Sequence, residues 1–232
     1  MNASIAKLKD GLIVSSQVMN PASPLLAPST LAALAKAAEL GGAVGFRVDG
    51  VDVVRELRRL SDRPIIGIHK NRASGMDTYI TVCVKDAIAL ISAGADIVAA
   101  QATEGSRPAE SFAEIVQAVH MQGALVMGDV STYEEGIAAV ANGADIVATT
   151  LAGYTSQSKG AHRPDLRLAQ RLSNSVNVPV VVEGGIWTPE DVAGAFDAGA
   201  WAVVVGSALT APDIIAAHLS QGLPHRHIGV LA

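Results

Sequence analysis

The stretch Gly94-Ala95-Asp96-Ile97-Val98 places two small residues in front of a strongly apolar run. The same pattern recurs at Gly42-Ala43, Gly143-Ala144 and Gly199-Ala200, each time after an alanine-rich helical segment. Glycine at this place supplies a left-handed helix cap, and the small alanine lets a strand begin close to the helix. The copies are spaced by about fifty residues, which is long enough for two β-α units, so four copies predict eight strands.

The apolar runs predict where these strands lie, and the segments between them predict eight helices. The strands are expected at Gly11–Gln17, Ala43–Asp49, Ile65–Lys70, Ala95–Gln101, Ala124–Asp129, Ala144–Thr149, Val178–Glu183 and Ala200–Gly206. The helices are expected near Ser29–Leu40, Val51–Ser61, Val84–Ser92, Ala109–Met121, Tyr133–Asn142, Asp165–Ser175, Pro189–Ala198 and Pro212–Ser220. Strict alternation predicts an α/β fold, a parallel eight-stranded sheet closed as a single (β/α)8 TIM barrel domain over residues 1–232.

Two helix starts contain a further signal. Thr132 and Thr188 each precede a helix, and a carboxylate follows three residues on, at Glu135 and Asp191. A hydroxyl and a carboxylate at this spacing form a capping box, in which each side chain satisfies a backbone N–H of the other residue. The spacing therefore predicts that helices begin directly after the two threonines.

The composition restricts the function classes. Of 232 residues, 50% are hydrophobic and only 3% aromatic, so a base-stacking surface for single-stranded nucleic acid is not expected. The net charge is −5, with no basic block, which argues against nucleic acid and anionic membranes as partners. A lone cysteine, Cys83, and the lack of an apolar run of roughly 18 residues favour a cytoplasmic protein.

Two strands end in groups capable of acid–base chemistry. Pro64–Lys70 is an apolar run that closes with a lysine, and Val178–Glu183 closes with a carboxylate. A lysine does not stay unpaired in an apolar core, so Lys70 is expected at the carboxyl-terminal mouth of the barrel, where this fold places its chemistry. The other strands also end in polar or small residues: Gln17, Arg47, Asp49, Gln101, Asp129, Thr149, Thr150, Gly206 and Ser207.

Each of these residues alone is compatible with a cap or a local ion pair; Arg47, for example, has Asp49 two residues away. Together they collect a base, an acid, an arginine and two amides at one mouth, which is difficult to explain structurally. Three long connections, Val18–Pro28, Asn71–Val82 and Ala152–Pro164, exceed simple turns and are expected to fold over this site.

Small residues follow the last two strands. Gly184 and Gly185 come after the seventh, and Gly206 and Ser207 come after the eighth. These two loops often form the phosphate site of a TIM barrel, because backbone N–H groups and a helix N-terminus face the anion. The alternative is that they are only tight turns between strand and helix.

Taken in order, these segments resemble the N-acetylmannosamine-6-phosphate 2-epimerase family of bacterial amino-sugar and sialic acid catabolism. The resemblance covers nearly the whole chain. Its most specific segments are Gly11–Gln17, Pro64–Lys70, Tyr79–Thr81, Asp129–Thr132, Thr149–Thr155, Val182–Gly184 with Thr188–Glu190, and Val205–Thr210.

The resemblance implies an isomerase that interconverts N-acetylmannosamine 6-phosphate and N-acetylglucosamine 6-phosphate without a metal or redox cofactor. It implies Lys70 and Glu183 as catalytic residues and Gln17, Arg47 and Asp129 as polar residues of the substrate site. It also implies a homodimer. The histidines His225 and His227 have no evident third ligand, so no metal site is expected from them.

The chain departs from the family pattern at three positions. Gly185 and Ala211 stand where the resemblance leads us to expect basic residues, and Gln101 stands where it leads us to expect an aspartate. A charge-assisted contact to phosphate contributes about 1.5–3 kcal/mol. Losing two such contacts would weaken phosphate binding unless other groups compensate, so the phosphorylated state of the substrate stays open.

The mechanism expected from these residues is proton transfer at C2 of the open-chain sugar, made possible by stabilising the charge on the carbonyl oxygen. Lys70 is the expected base. Glu183 handles the ring or aldehyde oxygen or serves as a second acid–base group, Asp129 orients Lys70 or a sugar hydroxyl, and Gln17 and Arg47 hold oxygens.

Three alternatives stay open at this point. A strand-end lysine also suits Schiff-base chemistry of the aldolase type. The second alternative is an epimerase paralogue that acts on another or an unphosphorylated sugar. The third is a non-catalytic sugar-binding relative.

Overall fold

The glycine–alanine pairs form the turns that lead from helix to strand. Gly42, Gly94, Gly143 and Gly199 all have positive φ, between +89° and +112°. The alanine after each glycine donates its backbone N–H to a carbonyl in the preceding helix, as in Ala95 N to Leu90 O at 3.1 Å. These bonds satisfy carbonyls that the helix end would otherwise leave unpaired, so the repeat is a repeated helix cap, as predicted.

The computed structural model describes residues 2–71 and 77–224, and within them eight strands pair in parallel. They are β1 (Gly11–Ser16), β2 (Gly45–Asp49), β3 (Ile65–Ile68), β4 (Ile97–Gln101), β5 (Leu125–Asp129), β6 (Ile146–Ala148), β7 (Val180–Glu183) and β8 (Ala202–Val205). Each strand pairs with the next along the chain, and β8 pairs with β1. The predicted closed (β/α)8 barrel is confirmed.

Most strands begin one or two residues later than predicted. The capping alanines Ala43, Ala95, Ala144 and Ala200 still belong to the helix turn, because their N–H groups bond backward. Hydrophobicity alone does not separate a capping alanine from the first residue of a strand. Lys70 likewise lies beyond the end of β3 rather than in it.

The described residues contain ten helices, eight of them at the predicted places. They are α1 (Ala3–Lys7), α2 (Pro28–Leu40), α3 (Val51–Leu60), α4 (Val84–Ala93), α5 (Phe112–Met121), α6 (Tyr133–Ala141), α7 (Leu166–Ser173), α8 (Pro189–Asp197), α9 (Ser207–Thr210) and α10 (Pro212–Ser220). The two helices that were missed, α1 and α9, are too short to show a helical period. Both predicted capping boxes are present. In residues 2–71 and 77–224 no helix has the length and apolar character to cross a membrane.

The buried side chains form two layers. Ile13, Ile66, Ile97 and Met127 belong to a cluster that fills the barrel, and Leu8 joins it from the turn after α1. A second layer of aliphatic residues lies between the strands and the surrounding helices. Because the strands are apolar on both faces, polar side chains at the strand ends stand out against this background.

Two of the capping glycines provide a matched test of the turns. Alanine in place of Gly42 would be destabilising only because of the left-handed φ, since the added Cβ would have no neighbouring atom within 4 Å. Alanine at Gly94 would also come within 2.9 Å of Arg58 Cγ, and Arg58 binds the Gly94 carbonyl and Asp96. We expect Gly42→Ala to cost about 1–2 kcal/mol of unfolding free energy and Gly94→Ala to cost clearly more. Urea denaturation measures both, and equal costs would contradict the role of Arg58.

Candidate active site

A cavity of about 1000 Å³ opens where the strands end. The predicted strand-end residues that line it are Gln17, Arg47, Lys70, Thr150, Glu183, Gly184, Gly185, Gly206 and Ser207. Three long connections add Met19, Tyr79, Tyr154, His162 and Arg163. The expectation that these connections fold over the site is thus met for their described part; residues 72–76 lie outside it.

Lys70 reaches the cavity from the connection after β3. Its Nζ donates a hydrogen bond to Gln17 Oε1, and Gln17 Nε2 donates in turn to Ser15 Oγ at 2.6 Å. The backbone N–H of Lys70 donates to Asp49 Oδ1 at 3.0 Å. The amine is therefore aimed across the mouth of β1 by side-chain contacts, while Asp49 fixes the backbone and does not pair with Arg47.

Arg47 is a buried arginine held by two carboxylates. Its Nη1 and Nη2 donate to Asp129 at 3.1 and 2.6 Å, and its Nε lies 3.3 Å from Glu183 Oε2. The side chain is only 1% exposed. Burial disfavours the charged guanidinium, but the charges of Asp129 and Glu183 outweigh burial and raise the pKa of Arg47. A permanent positive charge therefore lies next to Glu183.

Burial raises the pKa of the Glu183 carboxyl, and the charge of Asp129 acts in the same direction. Arg47, the hydroxyl of Thr150 and Lys70 oppose that rise without cancelling it. The Thr150 hydroxyl lies 2.7 Å from Asp129 Oδ1 and 3.1 Å from Glu183 Oε2. Since it has one proton for two acceptors, it donates to one carboxylate at a time. Glu183 therefore binds a proton more readily than an ordinary glutamate.

Asp129 ends β5, as predicted, and lies below the cavity surface. Its carboxylate is fully buried, it binds Arg47 and Thr150, and it does not line the cavity. Both oxygens of Asp129 are engaged below the cavity surface, by Arg47 and by Thr150, and the expected contact with Lys70 or a sugar hydroxyl stays a prediction. Asp129 holds Arg47 in place and acts on the site through it.

Gln101 also turns away from the cavity. Its Oε1 accepts from the backbone N–H groups of Tyr79 and Ile80 at 2.9 and 3.4 Å. Its Nε2 donates to the Asp77 carbonyl at 3.1 Å and to Thr103 Oγ1 at 2.7 Å. A carboxylate in this position would lack the two donated bonds. An amide is thus suited to a side chain that must bind both N–H groups and a carbonyl.

The segment that Gln101 binds is paired with the backbone of Lys70. Ile80 and Lys70 form an antiparallel β-bridge, and the flanking bonds join Asn71 N to Tyr79 O and Thr81 N to His69 O, both at 2.8 Å. Gln101 therefore positions Lys70 through the segment from Asp77 to Ile80.

The sequence did not single out Tyr79, Tyr154 or Arg163 as cavity residues. The available signals were the length of the connections that contain them and, for Tyr79 and Tyr154, the segments that carry the family resemblance. Within the described ranges no group of three or more metal-ligating side chains occurs, and His225 and His227 lie outside those ranges.

A family model described as "Putative N-acetylmannosamine-6-phosphate epimerase" matches residues 31–223. The chain belongs to this family. Membership confirms the resemblance and the enzyme class that it implied.

Similar proteins of known sequence bear the same description. A "Putative N-acetylmannosamine-6-phosphate 2-epimerase" of Caldanaerobacter subterraneus is 44% identical over 215 residues, which cover 91% of this chain and 90% of that protein. One from Clostridioides difficile is 40% identical, covering 90% of this chain and 94% of that protein.

A solved structure agrees in fold over almost the full length. The N-acetylmannosamine-6-phosphate 2-epimerase from Clostridium perfringens is 37% identical, with a TM-score of 0.92, and the match covers 96% of this chain and 97% of that one. Thiamine phosphate pyrophosphorylase from Pyrococcus furiosus, at 17% identity and a TM-score of 0.60, shares only the fold.

The role of Gln101 can be tested by hydrogen exchange. Gln101→Leu removes both acceptors and donors that hold the segment from Asp77 to Ile80, so we expect the amides of Tyr79 and Ile80 to exchange much faster. Gln117→Leu is the control, because Gln117 is exposed on α5. Unchanged exchange in the Gln101 variant would show that the segment is held by other contacts.

Proposed function

We propose that the chain interconverts N-acetylmannosamine 6-phosphate and N-acetylglucosamine 6-phosphate by removing and returning the proton at C2. The observation that supports this most is the placement of Lys70 and Glu183 in one cavity, with the buried charge of Arg47 beside Glu183. The family to which the chain belongs is described by the same activity.

The reaction requires an open-chain sugar, because the C2 proton is acidic only next to a carbonyl. As the proton leaves, charge develops on the aldehyde oxygen, and catalysis depends on groups already oriented toward that charge. Arg47 contributes a positive charge that is fixed at the cavity, because Asp129 holds both of its terminal nitrogens. A fixed buried cation needs no reorganisation when the charge appears.

Lys70 in its neutral form accepts the C2 proton. Gln17 holds the Nζ atom at the cavity wall, so a sugar placed between β1 and β7 has the amine on one side and Glu183 on the other. Glu183 then protonates the aldehyde oxygen or the opposite face of C2. Its pKa, which burial raises, favours the protonated form that a proton donor requires.

The phosphate is assigned to the loops after β7 and β8. Gly184, Gly185, Gly206 and Ser207 line this side of the cavity, and they offer small side chains and backbone N–H groups. This placement leaves the sugar carbon chain to extend from the phosphate toward Lys70.

The finer parts of the proposal are a role in amino-sugar and sialic acid catabolism, a cytoplasmic location and a homodimeric state. They are supported by membership of the family and by a sequence with one cysteine. Light scattering of the purified protein tests the dimer directly.

The first experiment is solvent exchange at C2. The protein is incubated in deuterated water with N-acetylmannosamine 6-phosphate, and separately with N-acetylmannosamine, and C2 is followed by NMR. We expect deuterium at C2 together with the gluco epimer, and we expect Lys70→Ala to abolish both while circular dichroism stays unchanged. Lys85→Ala is the control, since Lys85 is exposed on α4.

The outcomes separate the alternatives. Full activity in Lys70→Ala would remove Lys70 from the mechanism. Binding of either sugar without exchange by the wild-type protein would indicate a sugar-binding relative, and borohydride inactivation in the presence of sugar would indicate a Schiff base. Product that retains part of the original hydrogen points to Lys70 alone as the base.

The pH profile tests the environment of Glu183. Thr150→Val removes a hydrogen bond that lowers the pKa of Glu183, so the pKa rises further and the limb of the kcat/KM profile that belongs to Glu183 moves to higher pH. The expected shift is up to about one pH unit, because the hydroxyl is shared with Asp129. Thr150→Ser keeps the hydroxyl and should keep the wild-type profile. A shift to lower pH in Thr150→Val would contradict the assignment.

A further inference from the structure

The connection between β6 and α7 brings a second arginine to the cavity. Arg163 lines it together with His162 and Tyr154. The guanidinium carbon of Arg163 lies 4.4 Å from the centre of the Tyr154 ring, which holds the charged group in place by a cation–π contact. Both aromatic support and cavity position distinguish this arginine from an ordinary surface residue.

The charge of Arg163 is available to a ligand. None of the ion pairs formed within residues 2–71 and 77–224 involves it. Arg47, by contrast, is committed to Asp129 and Glu183. Lys70 is directed to Gln17 and, in the proposed reaction, to C2. Arg163 therefore lines the cavity with a positive charge that no carboxylate in the described part of the protein pairs with.

The backbone of Arg163 lies directly against the β7–α8 loop. A Cβ atom built on Gly185 would come within 2.5 Å of Arg163 Cβ and 2.6 Å of its carbonyl carbon. Gly185 also has a φ of +82°, which side chains rarely adopt. A side chain at position 185 would therefore clash with the β6–α7 connection as it runs here. Glycine at this position leaves the space that Arg163 occupies.

We propose that Arg163 binds the phosphate group of the substrate and replaces the basic residues that are absent at Gly185 and Ala211. Both of those positions line the cavity, next to Gly184 and Ser207. A guanidinium offers two parallel N–H donors to a phosphate, and the pair is stronger than neutral hydrogen bonds from the loops alone. The cation comes from the β6–α7 connection instead of the β7–α8 loop. This inference rests on the proposed function and names the residue that selects its phosphorylated substrate.

The test compares two sugars in four proteins. Wild type, Arg163→Ala, Arg163→Lys and the control Arg167→Ala, an exposed arginine on α7, are assayed with N-acetylmannosamine 6-phosphate and with N-acetylmannosamine. We expect Arg163→Ala to lower kcat/KM for the phosphorylated sugar by about 10–100-fold, mainly through KM, and to leave the unphosphorylated sugar unaffected. Arg163→Lys should recover part of the loss, and Arg167→Ala should match wild type.

Competition by inorganic phosphate gives a second readout that does not depend on the sugar. Its inhibition constant should rise in Arg163→Ala by a similar factor. An equal loss for both sugars, or no loss for either, would overturn the proposal while the epimerase activity of the wild type stands. Absence of turnover by wild type with both sugars would instead count against the proposed function, and phosphate binding measured by calorimetry would still test Arg163.

Gly185 tests how Arg163 is placed. Gly185→Ala should displace the β6–α7 connection and cause the same selective loss with the phosphorylated sugar. Gly160→Ala is the matched control, because Gly160 also has a positive φ, +85°, in that connection, but no atom lies within 4 Å of its added Cβ. Full preference for the phosphorylated sugar in Gly185→Ala would show that this contact does not place Arg163.

Discussion

The buried ion pair between Arg47 and Asp129 is the interaction on which the rest of the site depends. A guanidinium cannot lose its charge at accessible pH, so a buried arginine needs carboxylate partners within hydrogen-bond distance. Asp129 supplies two bonds and Glu183 lies 3.3 Å from Nε. These contacts join β2, β5 and β7 at the level of the cavity floor, and Thr150 adds the end of β6. Removing one partner of such a pair typically costs about 3–5 kcal/mol, because the other is left as an uncompensated charge.

The same ion pair shapes the environment of Glu183, which differs from that of Lys70. Burial and the charge of Asp129 raise the pKa of Glu183 against the opposing charge of Arg47, and the carboxyl of Glu183 lines the cavity. Lys70 lines the same cavity, held by Gln17 and by a backbone segment that Gln101 fixes. Arg47, whose charge does not change, lies beside Glu183. Arg163, on a different connection, provides the charge that neither the β7–α8 nor the β8–α9 loop contains.

The outcome at individual residues shows how far strand-end reasoning reaches. It identified Lys70 and Glu183 as cavity residues because a charged group that ends an apolar run must leave the core. It assigned Asp129 and Gln101 to the same mouth by the same argument, yet both are buried and point to other protein groups. The position of a residue at a strand end does not say whether its partner will be solvent, substrate or another side chain. For Asp129 the partner is Arg47, which is 82 residues away in sequence.

The sequence by itself determined the alternation of strands and helices, the capping turns and the family, because all of these depend on residues close together in the chain or on order along it. Hydrophobic periodicity, the spacing of the glycine–alanine pairs and the capping boxes are local features, so the sequence shows them without knowledge of the fold. Only the tertiary structure decided which charges meet. The strands β2, β5 and β7 are far apart in the sequence, but closure of the barrel brings Arg47, Asp129 and Glu183 together. It also decided that the space left by Gly185 is occupied by Arg163, because that packing joins two connections that belong to different β-α units.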